Sequence, residues 1–147
     1  MRDPGFEITP LILERWSPRA MSGKALAEDE FLPLFEAARW APSSYNAQPW
    51  RFLYARRGRP HWKRFLSLLT AANRVWARKA GVLVVIVARA AFEATGKPSP
   101  THALDAGAAW ENLALEGFRR GLVVHGMEGF DYAKARERLR IPAVFEV

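Results

Sequence analysis

Pro42-Ser43-Ser44-Tyr45-Asn46-Ala47-Gln48-Pro49-Trp50 places two prolines, two serines and an asparagine between two apolar segments, which is the composition of a loop. Upstream, Phe31, Leu34, Phe35 and Ala38 recur at three- and four-residue spacing behind the acidic run Glu28-Asp29-Glu30. That pattern predicts a helix running into the loop through Ala37-Ala38-Arg39-Trp40-Ala41. Downstream, Trp50 to Ala55 reads as a short apolar strand. A loop so placed offers two hydroxyls and a carboxamide, uncharged groups suited to hydrogen-bonding a polar ligand.

Working outward, Thr9-Pro10 starts a helix before Leu11, Ile12 and Leu13, and Trp16-Ser17-Pro18 ends it, because the residue before a proline is pushed out of the helical region. Arg15 to Arg19 therefore lies at a helix end or in a loop. Trp62, Phe65, Leu66 and Leu69 fit one helix face. Val82 to Val87 is a continuous, mostly β-branched run, expected at the centre of a sheet and covered on both sides. Thr101 to Arg120 predicts one long helix whose small residues, Gly107 among them, let another element approach, with Gly121 as its C-terminal stop. Asp131 is placed to cap a last helix through Leu139, with Ala135 and Leu139 inward and Ile141-Pro142 ending it. Helices and strands mixed in this way, without repeats or linkers, predict one α+β domain over 1–147.

A chain of 147 residues with half its composition apolar can bury one sizeable core. No apolar run is long enough to span a bilayer and the start lacks a secretory pattern, so a cytoplasmic protein with no membrane partner is expected. The absence of cysteine excludes disulfides, thiolate catalysis and Cys-based metal centres. His61, His102 and His125 lie apart and are expected to be packing or surface residues, and no metal site is expected. Trp40, Trp50, Trp62 and Trp110 occupy apolar-face positions and are expected in the core or an interface.

The net charge of +7 favours an anionic partner. Two arginine clusters, Arg56-Arg57-Arg59 and Arg136-Arg138-Arg140, are expected to be solvated faces. A basic nucleic-acid-binding module would interleave such charges with exposed aromatics on one element, whereas Trp and Phe here follow core periodicity. No nucleic-acid partner is expected.

The Pro42 to Trp50 stretch resembles the P-S-S-x-N-x-Q-P-W signature of the nitroreductase family, which occupies the same helix-to-strand loop. Arg15-Trp16-Ser17-Pro18-Arg19 is similar to that family's N-terminal R-x-S-x-[RK] element, and a guanidinium and a hydroxyl two residues apart can both reach one phosphate. Glu128-Gly129-Phe130-Asp131 is similar to the family's E-G-F-D turn. The resemblance implies FMN as cofactor, with Arg15, Trp16 and Ser17 at its phosphate end and Arg19 near its ring. It further implies Pro42, Ser43, Ser44 and Asn46 on the cofactor held by a partner subunit, Asn73 on the polar ring edge, and the backbone of Glu128 and Gly129 against ring nitrogen N5. Gly129 suits that last role because a missing Cβ lets main chain approach a flat ligand. The family pattern departs at Trp76, where several members carry a basic residue.

What the resemblance implies is an FMN-dependent oxidoreductase, a homodimer that takes electrons from NADH or NADPH and passes them to a nitroaromatic, quinone or related acceptor. A flavin-fold protein that binds FMN without turnover is the alternative. The implied fold is a central mixed, mostly antiparallel sheet flanked by helices. Past Ile141-Pro142 the family continues with an apolar strand and a basic tail, so we expect a C-terminally truncated piece with an open sheet edge, the alternative being a short member with weakened cofactor binding.

Overall fold

The computed structural model describes residues 2–147. In chain order the elements are α1 (Pro10–Glu14), α2 (Glu28–Arg39), a single 3-10 turn (Ser44–Asn46), β1 (Trp50–Arg56), α3 (Trp62–Leu66), α4 (Ala71–Ala77), β2 (Val82–Arg89), α5 (His102–Arg119), α6 (Tyr132–Leu139) and β3 (Phe145–Glu146). No helix among the described residues is long and apolar enough to cross a membrane.

The sheet has the order β1-β2-β3, and both pairings described are antiparallel, with Trp50 opposite Ala88 and Arg56 opposite Val82. The β-branched run of β2 is its middle strand. Successive side chains alternate between faces, and each face meets its own core. On one side Leu34, Ala38, Trp50, Ala109 and Leu113 are buried, with Phe35 and Phe52 packed against them. On the other, Ala55, Phe65, Ala77 and Leu83 are buried, with Leu53 and Val85 alongside. The expected two-sided cover of Val82–Val87 is therefore present. Burying each Leu-sized side chain in these layers stabilises the fold by roughly 1.5–3 kcal/mol.

Local signals explain the helix ends. The Ala27 N–H donates to Glu30 Oε2 at 2.6 Å, a carboxylate closing the first turn of α2. Gly121 adopts φ +72 after α5, and the Leu122 N–H reaches back to the Gly117 carbonyl at 2.8 Å, the geometry in which a left-handed residue satisfies last-turn carbonyls. Asp131 Oδ1 accepts from the Lys134 N–H at 2.9 Å at the start of α6.

Three expectations are corrected and one is narrowed. The helix read over Trp62 to Leu69 stops at Leu66, and Leu69 instead bridges to Phe130, so an apolar spacing of three and four was completed by a turn. A Cβ placed on Gly107 would have nothing within 4 Å, whereas one on Gly117 would meet Val124 Cγ2 at 2.4 Å and Leu34 Cδ2 at 3.2 Å; Gly117 is the close approach between α5 and α2. Trp40 lies outside the core, 75 % exposed in the single chain and held by an indole N–H bond to Glu36 Oε1, which leaves the interface as its expected place. The arginine clusters are not merely solvated, since Arg56 donates to the Leu26 carbonyl and Glu28, Arg57 to the Ala80 carbonyl, and Arg136 to the Phe145 carbonyl.

The Gly117 contact carries a prediction. Gly117→Ala gains about 1 kcal/mol of helix propensity but forces Val124 aside, and overpacking of this kind costs about 1–3 kcal/mol. Urea unfolding is expected to show a variant less stable than the parent. A variant more stable than the parent removes the packing explanation.

Candidate functional site

Pro18 prevents α1 from continuing, and the chain turns back so that Arg15 lies on α5. Its Nε sits 3.3 Å from Glu111 Oε1 and its guanidinium carbon 6.0 Å from the Trp110 ring centre. Nη1 is buried and has no hydrogen-bond partner among the described residues. A guanidinium carries five N–H donors in a fixed fork, so Glu111 orients the fork while one arm meets no acceptor. Ser17 is half-buried nearby in sequence, and Trp16 is exposed.

Four residues further on, Arg19 lies over the Trp76 ring at 6.0 Å. Trp76 in turn meets the His125 ring at 4.5 Å, and His125 Nδ1 is 3.2 Å from the Pro18 carbonyl. Trp76 Nε1 is a second buried donor without a partner among the described residues. One helical turn before it on α4, Asn73 Nδ2 donates to the Gly129 carbonyl at 3.0 Å, which also accepts from the Thr70 N–H at 3.2 Å. A Cβ on Gly129 would lie 2.7 Å from Asn73 Nδ2, so only glycine allows this contact. The N–H groups of Glu128 and Gly129 find no backbone acceptor among the described residues. Arg15, Arg19, Asn73 and the Glu128-Gly129 turn are thus linked through α4, His125 and the adjoining face of α5.

The Ser43–Asn46 loop is held elsewhere. Asp105, 5 % exposed near the start of α5, accepts from the Ser44 N–H and from the Thr101 hydroxyl, each at 3.2 Å. Ser43 Oγ accepts from the Gln48 N–H at 3.0 Å, and Gln48 Nε2 donates to Asn46 Oδ1 at 3.0 Å. Tyr45, Asn46 and Gln48 have φ of 53, 52 and 45, a left-handed conformation costing roughly 1–2 kcal/mol each for residues with a side chain. Tyr45 is 93 % exposed and meets Phe92 edge-on. Strain of this kind persists only where the surroundings over-determine it, and Asp105 is the buried anchor that does so. No hydrogen bond joins this loop to Arg15–Arg19 or to Glu128–Gly129 among the described residues. Asp105 and Glu111 sit six residues apart on α5, a rise of about 9 Å.

Sequence reading missed Asp105, Thr70 and Glu111. Asp105 had a faint signal, an acidic residue on the otherwise small and apolar face of α5, whereas the other two are recognisable only from their partners. His102 is half-buried, as a packing residue is expected to be. It has a carboxylate partner, Glu146 Oε2 at 3.0 Å, while its Nδ1 faces the Ser99 carbonyl at 2.7 Å. The hydrogen bond to Glu146 and then that to Ser99 raise its pKa above the ordinary 6.5. Both ring nitrogens face acceptors, so the doubly protonated ring suits them best. Because the folded value is raised, this tie stabilises β3 fully below pH 6.5 and is lost as pH rises through the raised value. The Tm deficit of Glu146→Gln should therefore be larger at about pH 5.5 than at about pH 8.5, on either side of the histidine range, to be read by thermal melts at both. Equal deficits refute the linkage.

Residues 12–147 match the model of the nitroreductase family. The chain belongs to the nitroreductase family. It is similar to a solved oxidoreductase containing FMN, with 41% identity and a TM-score of 0.95 over 99% of this chain and 75% of that one. It is also similar to a putative NADH oxidase from Clostridium acetobutylicum, at 26% identity and TM-score 0.75, covering 92% of this chain and 81% of that one. A nitroreductase family protein from Clostridium novyi NT, at 24% identity, TM-score 0.79 and coverage of 97% and 80%, shares the fold. No curated protein matches.

In this nitroreductase family member a cavity of about 770 Å³ is lined by none of the residues singled out from the family motifs for FMN. It opens between β2 and the stretch after α5, and its walls are mainly apolar. The polar, donor-rich arc from Arg15 to Gly129 has the chemistry of an anionic ligand site, and the cavity does not.

Proposed function

We propose that this chain is an FMN-dependent oxidoreductase that uses NADH or NADPH to reduce a nitroaromatic, quinone or related organic acceptor, working as a homodimer. The observation that carries the reading is Arg15 Nη1, a buried guanidinium donor with no partner. Burying an unpaired charged donor is expensive, and a phosphate oxygen is the acceptor that the planar fork fits best. Arg15 with Ser17 would hold the FMN phosphate, with Trp16 beside them. Arg19, parked on Trp76, would approach the ring. Asn73 would offer its free Oδ1 to the polar ring edge, and the unused N–H groups of Glu128 and Gly129 would donate to the ring beside it.

Bound FMN supplies the electron-carrying ring, so the chain needs no acid–base pair of its own. The protein's part is to orient the ring and to keep water from it. Support for the homodimer comes from large exposed apolar residues on α1, its flanks and α5, namely Phe6, Ile12, Trp16 and Leu104 at 87, 51, 58 and 74 %. Side chains of this size and exposure are the groups that an interface would cover. Pro42, Ser43, Ser44 and Asn46, held away from the Arg15 arc, would then serve the partner's FMN.

The test is an absorption spectrum of the purified protein followed by anaerobic addition of NADH or NADPH. Flavin bands that bleach are expected. A colourless protein that takes up no added FMN overturns the proposal, and bound FMN that neither nucleotide bleaches leaves cofactor binding without turnover.

A further inference from the structure

The indole of Trp76 carries a polar group that the fold leaves unused. Its Nε1 is buried and meets no acceptor among the described residues, although an indole N–H can only donate and a buried tryptophan usually finds a partner for it. The neighbouring imidazole does not relieve it. The His125 ring centre lies 4.5 Å from that of Trp76 at a tilt of 48°, but His125 Nδ1 faces the Pro18 carbonyl at 3.2 Å, and the two rings meet by packing alone.

This donor stands beside the arc that runs from Arg15 to Gly129. Trp76 follows Asn73 by three positions on α4, so the two share a helix face, and Asn73 holds the Gly129 carbonyl at 3.0 Å. Arg19 lies over the indole, its guanidinium carbon 6.0 Å from the ring centre. Arg19 is exposed and makes no hydrogen bond or ion pair among the described residues, so only a weak contact with the ring face holds it. An anion that draws Arg19 away uncovers the indole. Arg74, on the same helix, is already committed, its Nη2 donating to the Leu69 carbonyl at 2.8 Å.

We propose that Trp76 is a cofactor contact, its N–H donating to the polar edge of the FMN ring next to Asn73, and that this uncharged donor sets a lower reduction potential than a cation at the same position would. The assignment rests on the FMN binding proposed above. Reduction places negative charge on the ring. A hydrogen bond to a charged acceptor is stronger than one to a neutral acceptor, so the indole favours the reduced ring to some extent. A cation adds direct attraction in a water-poor site and favours it more. The family pattern departs at this position, where several members carry a basic residue, so the difference belongs to this chain.

The test compares the parent with Trp76→Phe, which keeps an apolar ring and removes the donor, and Trp76→Lys, which brings a charge. Trp76→Phe is expected to bind FMN about 3- to 10-fold more weakly in a fluorescence titration, the loss of one hydrogen bond. The midpoint potential of bound FMN, read by equilibration with a redox dye, should fall in Trp76→Phe and rise in Trp76→Lys, by about 30 mV for each tenfold change in the preference for reduced over oxidised FMN. In proton–nitrogen spectra of the FMN-free parent, the one indole signal missing from Trp76→Phe should move downfield when FMN is added, a shift that a merely structural tryptophan would not show. A parent that binds FMN while this signal stays in place overturns the assignment and leaves the cofactor standing. So does a Trp76→Phe variant with the parent's affinity and potential, whatever becomes of Trp76→Lys. A parent that takes up no FMN overturns both readings.

Discussion

Replacing Arg15 by alanine is expected to weaken FMN binding by about 10- to 100-fold, which is the loss of a charge-assisted hydrogen bond of about 1.5–3 kcal/mol. Arg15 is singled out because its guanidinium is already aimed. Glu111 holds Nε at 3.3 Å and Trp110 supports the plane, while Nη1 stays buried without an acceptor. Binding therefore gains a bond without much ordering of the side chain. Arg15→Lys keeps the charge but loses the fork, so it should fall between parent and alanine. Arg138, exposed on α6, is the control, and Arg138→Ala should leave affinity unchanged. Fluorescence titration with FMN reads all three. Equal losses for Arg15→Ala and Arg138→Ala would mean that the effect is net charge and that the phosphate site lies elsewhere.

Asp105→Ala should cost about 2–4 kcal/mol of stability, read by urea unfolding. The carboxylate is buried and accepts from Ser44 and Thr101, and a buried donor left unsatisfied costs about 1–3 kcal/mol. The loop also stores strain at Tyr45, Asn46 and Gln48, which its anchor no longer opposes. Cleavage near Tyr45 by a protease should accordingly speed up before global unfolding does, since loosely anchored loops open first. Asp105→Asn retains one acceptor and should lose less. If Asp105→Ala unfolds within about 0.5 kcal/mol of the parent, the range of an ordinary surface change, the anchor role is wrong.

Much of the fold was legible because its signals are local. The spacing of Phe31, Leu34, Phe35 and Ala38, the proline-bounded loop, the run from Val82 to Val87, the stop at Gly121 and the cap at Asp131 each depend on neighbours within a turn or two. The short elements were less legible. α4 was not anticipated, and α3 ended early because Leu69 pairs with Phe130, a contact that no periodicity records. β3 exists through its pairing with β2 and Arg136's bond to Phe145, not through any strand propensity of a two-residue segment.

The sequence by itself determined the family, through the nine residues from Pro42 to Trp50 and the two shorter motifs, and with it the types of group available to a ligand. Only the tertiary structure decided which groups are already engaged and which stand free. Ser44 meets Asp105 across 61 positions, Asn73 meets Gly129 across 56, and His102 meets Glu146 across 44. The physical reason is that a motif specifies donors and acceptors, whereas their partners and their burial follow from how helices and sheet pack, and packing joins residues without regard to their separation along the chain.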